Sequence, residues 1–96
     1  MMTVRVLIER KIIPGKELDL TDELTRLRSK AMRAKGYISG ETLRALDDPN
    51  HYLVISTWNS FEDWKTWEAD TERQEIQGKI DKMLEGPAVH RIFVYD

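Results

Sequence analysis

The chain has 96 residues, 41% of them apolar and 33% charged, a length and balance that suit one folded domain over residues 1–96 and are too apolar for a disordered segment. Its 15 Lys and Arg against 17 Asp and Glu leave a net charge of −2, so the broad positive field that a phosphate backbone demands is missing and no nucleic acid partner is expected. The absence of cysteine excludes disulfides, thiolate catalysis and Cys-bound zinc, and agrees with a reducing, cytoplasmic setting.

The opening run carries Arg5 and Glu9 among its apolar residues, unlike a signal peptide or a membrane span, so no membrane partner is expected. From Thr3 to Ile13 the apolar residues Val4, Val6, Ile8 and Ile12 recur with a period of two residues, which predicts a strand. Pro14-Gly15 breaks it. Leu20, Leu24, Leu27 and Ala31 then fall on one side of a predicted helix, with acidic residues near its start, basic residues near its end and Gly36 as the left-handed stop. Arg26, Arg28, Lys30, Arg33 and Lys35 read as its solvated, dipole-matched end. Tyr37 to Leu46 and His51 to Trp58 are strand-like runs joined by Asp47-Asp48-Pro49-Asn50, so an antiparallel hairpin is expected with His51 as a solvated turn residue.

Ser60 with Asp63, and Thr71 with Gln74, resemble caps paired with their third helical residues, which predicts two consecutive helices. The first carries Phe61, Trp64 and Trp67. The second carries Ile76, Ile80, Met83 and Leu84 and is expected to run to Gly86-Pro87. Ala88 to Tyr95 alternates again as a last strand. The order β-α-β-β-α-β predicts an α+β, ferredoxin-like fold with a four-stranded antiparallel sheet and helices on one face. The other face carries Leu7, Ile13, Leu53, Ile55, Val89, Phe93 and Tyr95, so it too is apolar. A second copy of the chain covering it would form a homodimer.

Pro14-Gly15-Lys16, the run Gly36 to Leu43, the run Tyr52 to Ser60, and Trp64-Lys65-Thr66-Trp67 resemble the antibiotic biosynthesis monooxygenase (ABM) domain over nearly the whole chain. The resemblance implies a dimeric α/β barrel of two facing sheets, with a ligand cavity in each subunit between sheet and helices. Members of the family include oxygenases that convert aromatic phenols to quinones without metal or flavin, quinol oxygenases and haem-degrading oxygenases. The haem-degrading branch uses an Asn on the first strand, a Trp in the second helical region and a His farther on. Trp67 matches that Trp, but Gln77 stands where the His belongs and no Asn lies on the first strand, so haem degradation is disfavoured.

Oxidation of an electron-rich phenol or hydroquinone by O2 needs a dry aromatic pocket and a group that takes the substrate's proton. Trp67, Trp64, Phe61 and Tyr95 are the candidate substrate contacts, and His90 or Glu41 the candidate proton acceptors. His90 alternates with Ile92 and Val94 and is therefore expected to face an enclosed side. Trp58, at a strand end, reads as structural. Neither the two histidines nor the carboxylates show a metal-ligand spacing, and no phosphate-binding glycine motif occurs, so no metal and no cofactor are expected. The expected function is a cofactor-independent monooxygenase acting on a small aromatic ligand. The alternative is a non-catalytic small-molecule-binding or stress-related dimer on the same scaffold.

Overall fold

Strand β1 (Val4–Lys11) buries Val4, Val6 and Ile8 on one face and leaves Arg5, Leu7 and Glu9 half-exposed on the other, as the two-residue repeat requires. The computed structural model describes residues 2–96. After β1 it runs through α1 (Glu17–Ala31), β2 (Tyr37–Arg44), β3 (His51–Trp58), α2 (Phe61–Glu68), α3 (Thr71–Asp81) and β4 (Val89–Val94). The strands form one antiparallel sheet in the order β2-β3-β1-β4, the ferredoxin-like arrangement expected, with its second helical segment split in two.

Register assigns the faces. Val4 pairs with Trp58, Val6 with Ser56, Ile8 with Val54 and Arg10 with Tyr52, so these residues share the face that the helices cover. One core cluster joins Val4, Val6 and Ile8 to Ala31 of α1, Trp58 of β3 and the α2 residues Trp64 and Trp67. A second joins Ile12, Leu20, Tyr52, Ile76, Ile80 and Leu84. Burying each large apolar side chain in these clusters contributes about 1.5–3 kcal/mol. The opposite face remains open, with Leu7, Leu53 and Ile55 half-buried and Leu43 and Phe93 exposed.

Local chemistry sets the element ends. Ser60 Oγ accepts from the Asp63 backbone N–H at 3.1 Å and caps α2 as expected. The cap of α3 is Asp70, whose Oδ1 accepts from the Arg73 N–H at 3.0 Å, one residue before the expected Thr71. The helix also ends sooner than Gly86-Pro87. After Asp81 the backbone leaves the helix and bonds the end of β1, with Ile13 N–H donating to Met83 C=O and Glu85 N–H to Lys11 C=O, both at 2.8 Å. Those bonds seat Leu84 opposite Ile12 and seal the second core cluster.

His51 opens β3 half-buried, with Nε2 3.3 Å from Glu9 Oε1, and is not a solvated turn residue. In β2 the register slips between Tyr37 and Ser39, and this bulge keeps Tyr37 and Gly40 on the helix side. A side chain at Gly40 would begin 2.6 Å from Tyr37 Oη, so only glycine leaves room for that hydroxyl.

Candidate functional site

Between the inner sheet face and the helices lies a cavity of about 60 Å³, room for a few water molecules. Its floor is Ile8, Arg10, Val54, Ser56 and Trp58 from the sheet, and its roof is Leu24 and Leu27 of α1, Trp64 and Trp67 of α2, and Arg73 of α3. Exposed Arg28, Glu41 and Thr42 form the rim. Arg28 crosses from α1 to β2, its Nη2 donating to Gly40 C=O at 2.7 Å. An aromatic ligand larger than a few waters requires that rim to open.

The indoles stack in a fixed order. Trp58 is fully buried, and its Nε1–H donates to Ser56 Oγ at 3.0 Å. Trp67 lies stacked on it at 6.1 Å with an interplanar angle of 24°, while Trp64 and Tyr37 meet it edge-on at 5.8 and 5.4 Å. Trp58 is therefore structural, as expected, and forms part of the cavity floor as well. Trp67, at 7% exposure, is both core and cavity wall, because the stripe that anchors α2 to the sheet is also the stripe that roofs the cavity.

The remaining candidates scatter. Phe61 is exposed, lies off the cavity and has Lys65 Nζ 5.9 Å from its ring centroid. It is the first residue of α2, and a helical side chain leans over the turn N-terminal to its own Cα, which Phe61 lacks. Tyr95 lies past the end of β4 and is exposed. Glu41 pairs in register with Ile55, on the outer face, where its Oε1 lies 4.0 Å from Arg5 Nη2. His90 pairs with Ile8 and so faces the helix side, but it is exposed because β4 is an edge strand that the helices only partly cover. It lines a separate depression with Gln77, Asp81 and Leu84. Partial desolvation on its helix-facing side, then the charges of Arg73 and Arg10, lower its pKa from the usual 6.5, favouring the neutral ring at neutral pH.

Two residues missed from sequence dominate the cavity's electrostatics. Arg10 and Arg73 are 1% and 3% exposed. Burial, with the neighbouring Arg73 charge, pulls Arg10 down to about 10, and burial likewise lowers Arg73. Arg10 Nη2 donates to Gln77 Oε1 at 2.8 Å, so the residue standing at the haem-degrading branch's His position here holds an arginine. The signal was present in the pattern: Arg10 has the parity of Val4, Val6 and Ile8, and Arg73 lies on the α3 stripe of Ile76 and Ile80.

With this geometry in hand, comparison with known proteins places the chain. The family model for antibiotic biosynthesis monooxygenase matches residues 3–79, and the chain belongs to that family. Protein SchA of Streptomyces halstedii is 24% identical over 83 residues, which cover 86% of this chain; the chain spans 22% of SchA's length. A conserved protein from Methanosarcina mazei Go1 superposes with a TM-score of 0.94 at 16% identity, covering 100% of this chain and 95% of the other. SnoaB from Streptomyces nogalater, a cofactor-independent oxygenase, superposes with a TM-score of 0.90 at 16% identity, with the same coverage. At such identities the superpositions speak for the fold. No helix among the described residues is long and apolar enough to cross a membrane.

Proposed function

We propose that the chain is a cofactor-independent monooxygenase that oxidises a phenol or hydroquinone in the cavity beneath Trp64 and Trp67. The observation that carries this reading is the tryptophan-walled cavity between sheet and helices, where an aromatic ring would lie out of water against the indole faces. The overall change is balanced for a phenol going to a quinone: one atom of O2 becomes the new carbonyl oxygen, the other leaves as water, and the phenol supplies every electron. The chain's residues orient the ring, exclude water and assist loss of the phenolic proton. His90, on the helix side of β4 and within the field of both arginines, is the proton acceptor in this reading. Glu41, turned towards Arg5, would act only at the rim.

The outer sheet face, with Leu7, Leu53, Ile55 and Phe93, is covered in this proposal by a second copy of the chain, completing a homodimeric barrel. A non-catalytic ligand-binding role is the second reading, favoured by one observation: both charged groups deep in the cavity are cations, and neither can accept a proton. Oxygen-electrode traces with hydroquinones and anthrone-type phenols separate the two. The monooxygenase reading expects substrate-dependent oxygen consumption that drops at least about tenfold in Trp67→Phe; ligand binding without oxygen consumption supports the second reading.

A further inference from the structure

Two arginines inside the molecule lack the partners that buried cations need. Arg10 and Arg73 are almost fully buried and both line the cavity. Each guanidinium donates to one neutral oxygen: Arg10 Nη2 to Gln77 Oε1 at 2.8 Å, and Arg73 Nη1 to the Glu68 carbonyl at 3.2 Å. Nε and Nη1 of Arg10 and Nε and Nη2 of Arg73 are buried without an acceptor, as is Nε1 of the cavity-lining Trp64. Among the described residues no carboxylate lies within 4.0 Å of either guanidinium.

An arginine keeps its proton at neutral pH, so the cavity holds two positive charges, which the Asp81 and Glu68 carboxylates offset only from beyond ion-pair contact. A buried charge left unpaired is strongly unfavourable, and the fold tolerates the pair through two neutral hydrogen bonds and the Trp64 ring, whose centroid lies 5.4 Å from Arg73 Cζ. The unmet requirement is for oxyanion acceptors. A carboxylate attached to an aromatic ring is flat and takes two parallel N–H bonds from a guanidinium fork, and its ring would lie against Trp64 and Trp67, which a bare phosphate would leave without a partner.

Resting on the reading of this cavity as the ligand site, we infer that Arg10 and Arg73 form its anion-binding end and that the ligand is an aromatic carboxylate, its carboxylate held by the two guanidiniums and its ring against Trp64 and Trp67. The arginines then select the substrate and fix which end of it lies deepest.

Calorimetric titration of the full chain under argon with hydroxynaphthoate and with naphthol, at neutral pH, tests this directly. Hydroxynaphthoate is expected to bind at least about tenfold more tightly, a difference of about 1.4 kcal/mol. Arg10→Gln and Arg73→Gln should each reduce that preference to less than about threefold while naphthol affinity holds. The ligand-free Arg10→Met protein should melt at a higher temperature than the wild type, because it removes an unpaired buried charge; a purely structural arginine would lower it. Equal wild-type affinities for the two probes, or a preference that survives both substitutions, overturn the inference, and the wild-type comparison decides even if a variant does not fold. Arginine-dependent hydroxynaphthoate binding without any oxygen consumption sustains the anion site and sinks the monooxygenase reading. Oxygen consumption from both probes with equal affinity does the reverse.

Discussion

Arg10 of β1 and Arg73 of α3 reach one cavity from its two walls, and the charge of Arg73 helps to depress the pKa of Arg10 to about 10. Like charges meet there because the sheet's inward parity and the helix's buried stripe converge on the same point. The same two charges act on His90, on the neighbouring strand.

His90 gives a pH dependence of definite sign. Its folded-state pKa is lowered below 6.5, first by burial and then by Arg73 and Arg10, with Glu68 and Asp81 opposing. Well above pH 6.5 it is neutral in both states and costs nothing. As the pH falls through that value the unfolded chain takes up the proton first, so stability declines until the pH has dropped below the folded-state pKa. Urea midpoints measured across this acid range should fall with pH, and His90→Gln should flatten that slope.

Gly36 links the end of the first helical unit to β2 at φ +84°, and a Cβ there would lie 2.2 Å from Asp63 Oδ2 and 2.5 Å from Asp63 Cβ. Gly36→Ala is expected to cost about 1–3 kcal/mol from backbone strain, with more from displacing the first turn of α2. Equilibrium denaturation measures the loss, and unchanged stability would mean that the two elements are not packed as described.

Ser56→Ala tests the cavity floor. It removes the acceptor of the buried Trp58 Nε1–H, and an unsatisfied buried donor costs about 1–3 kcal/mol. The variant should unfold at lower urea and show altered near-UV dichroism from Trp58, since that indole holds Trp64, Trp67 and Tyr37 in their relative positions.

The outer face makes its own prediction. Ile55 sits in the middle strand pair of the exposed side, opposite Leu7 and Glu41. Ile55→Asp should convert a sedimenting dimer to monomer with little change in helical content, whereas a wild-type protein that sediments as a monomer at micromolar concentration would remove the barrel from the account.

Strand and helix identity were legible because Val4, Val6 and Ile8, and Leu20 and Ala31, follow periods that burial confirms. The site was less so, for physical reasons. Phe61 shares helical spacing with Trp64, but spacing does not tell that the helix begins at Phe61. His90 had the right parity, but parity does not tell that its strand is an edge. Glu41 sits at a β2 position whose face depends on the bulge after Tyr37, which no pattern announces. The arginines were hidden for the opposite reason: charged residues at inward positions look like exceptions to the apolar repeat, and their meaning emerges only when a strand and a helix bring them to one cavity.

The central claim is that this cavity inserts oxygen into an aromatic ring. A single turnover with isotopically heavy O2 and a hydroxynaphthoate, followed by mass spectrometry of the product and quantitation of peroxide, tests it most directly. The account predicts one heavy atom in the quinone, no peroxide, and loss of the heavy-atom incorporation in Trp67→Phe. A product free of heavy oxygen, or oxygen returned wholly as peroxide, would contradict it.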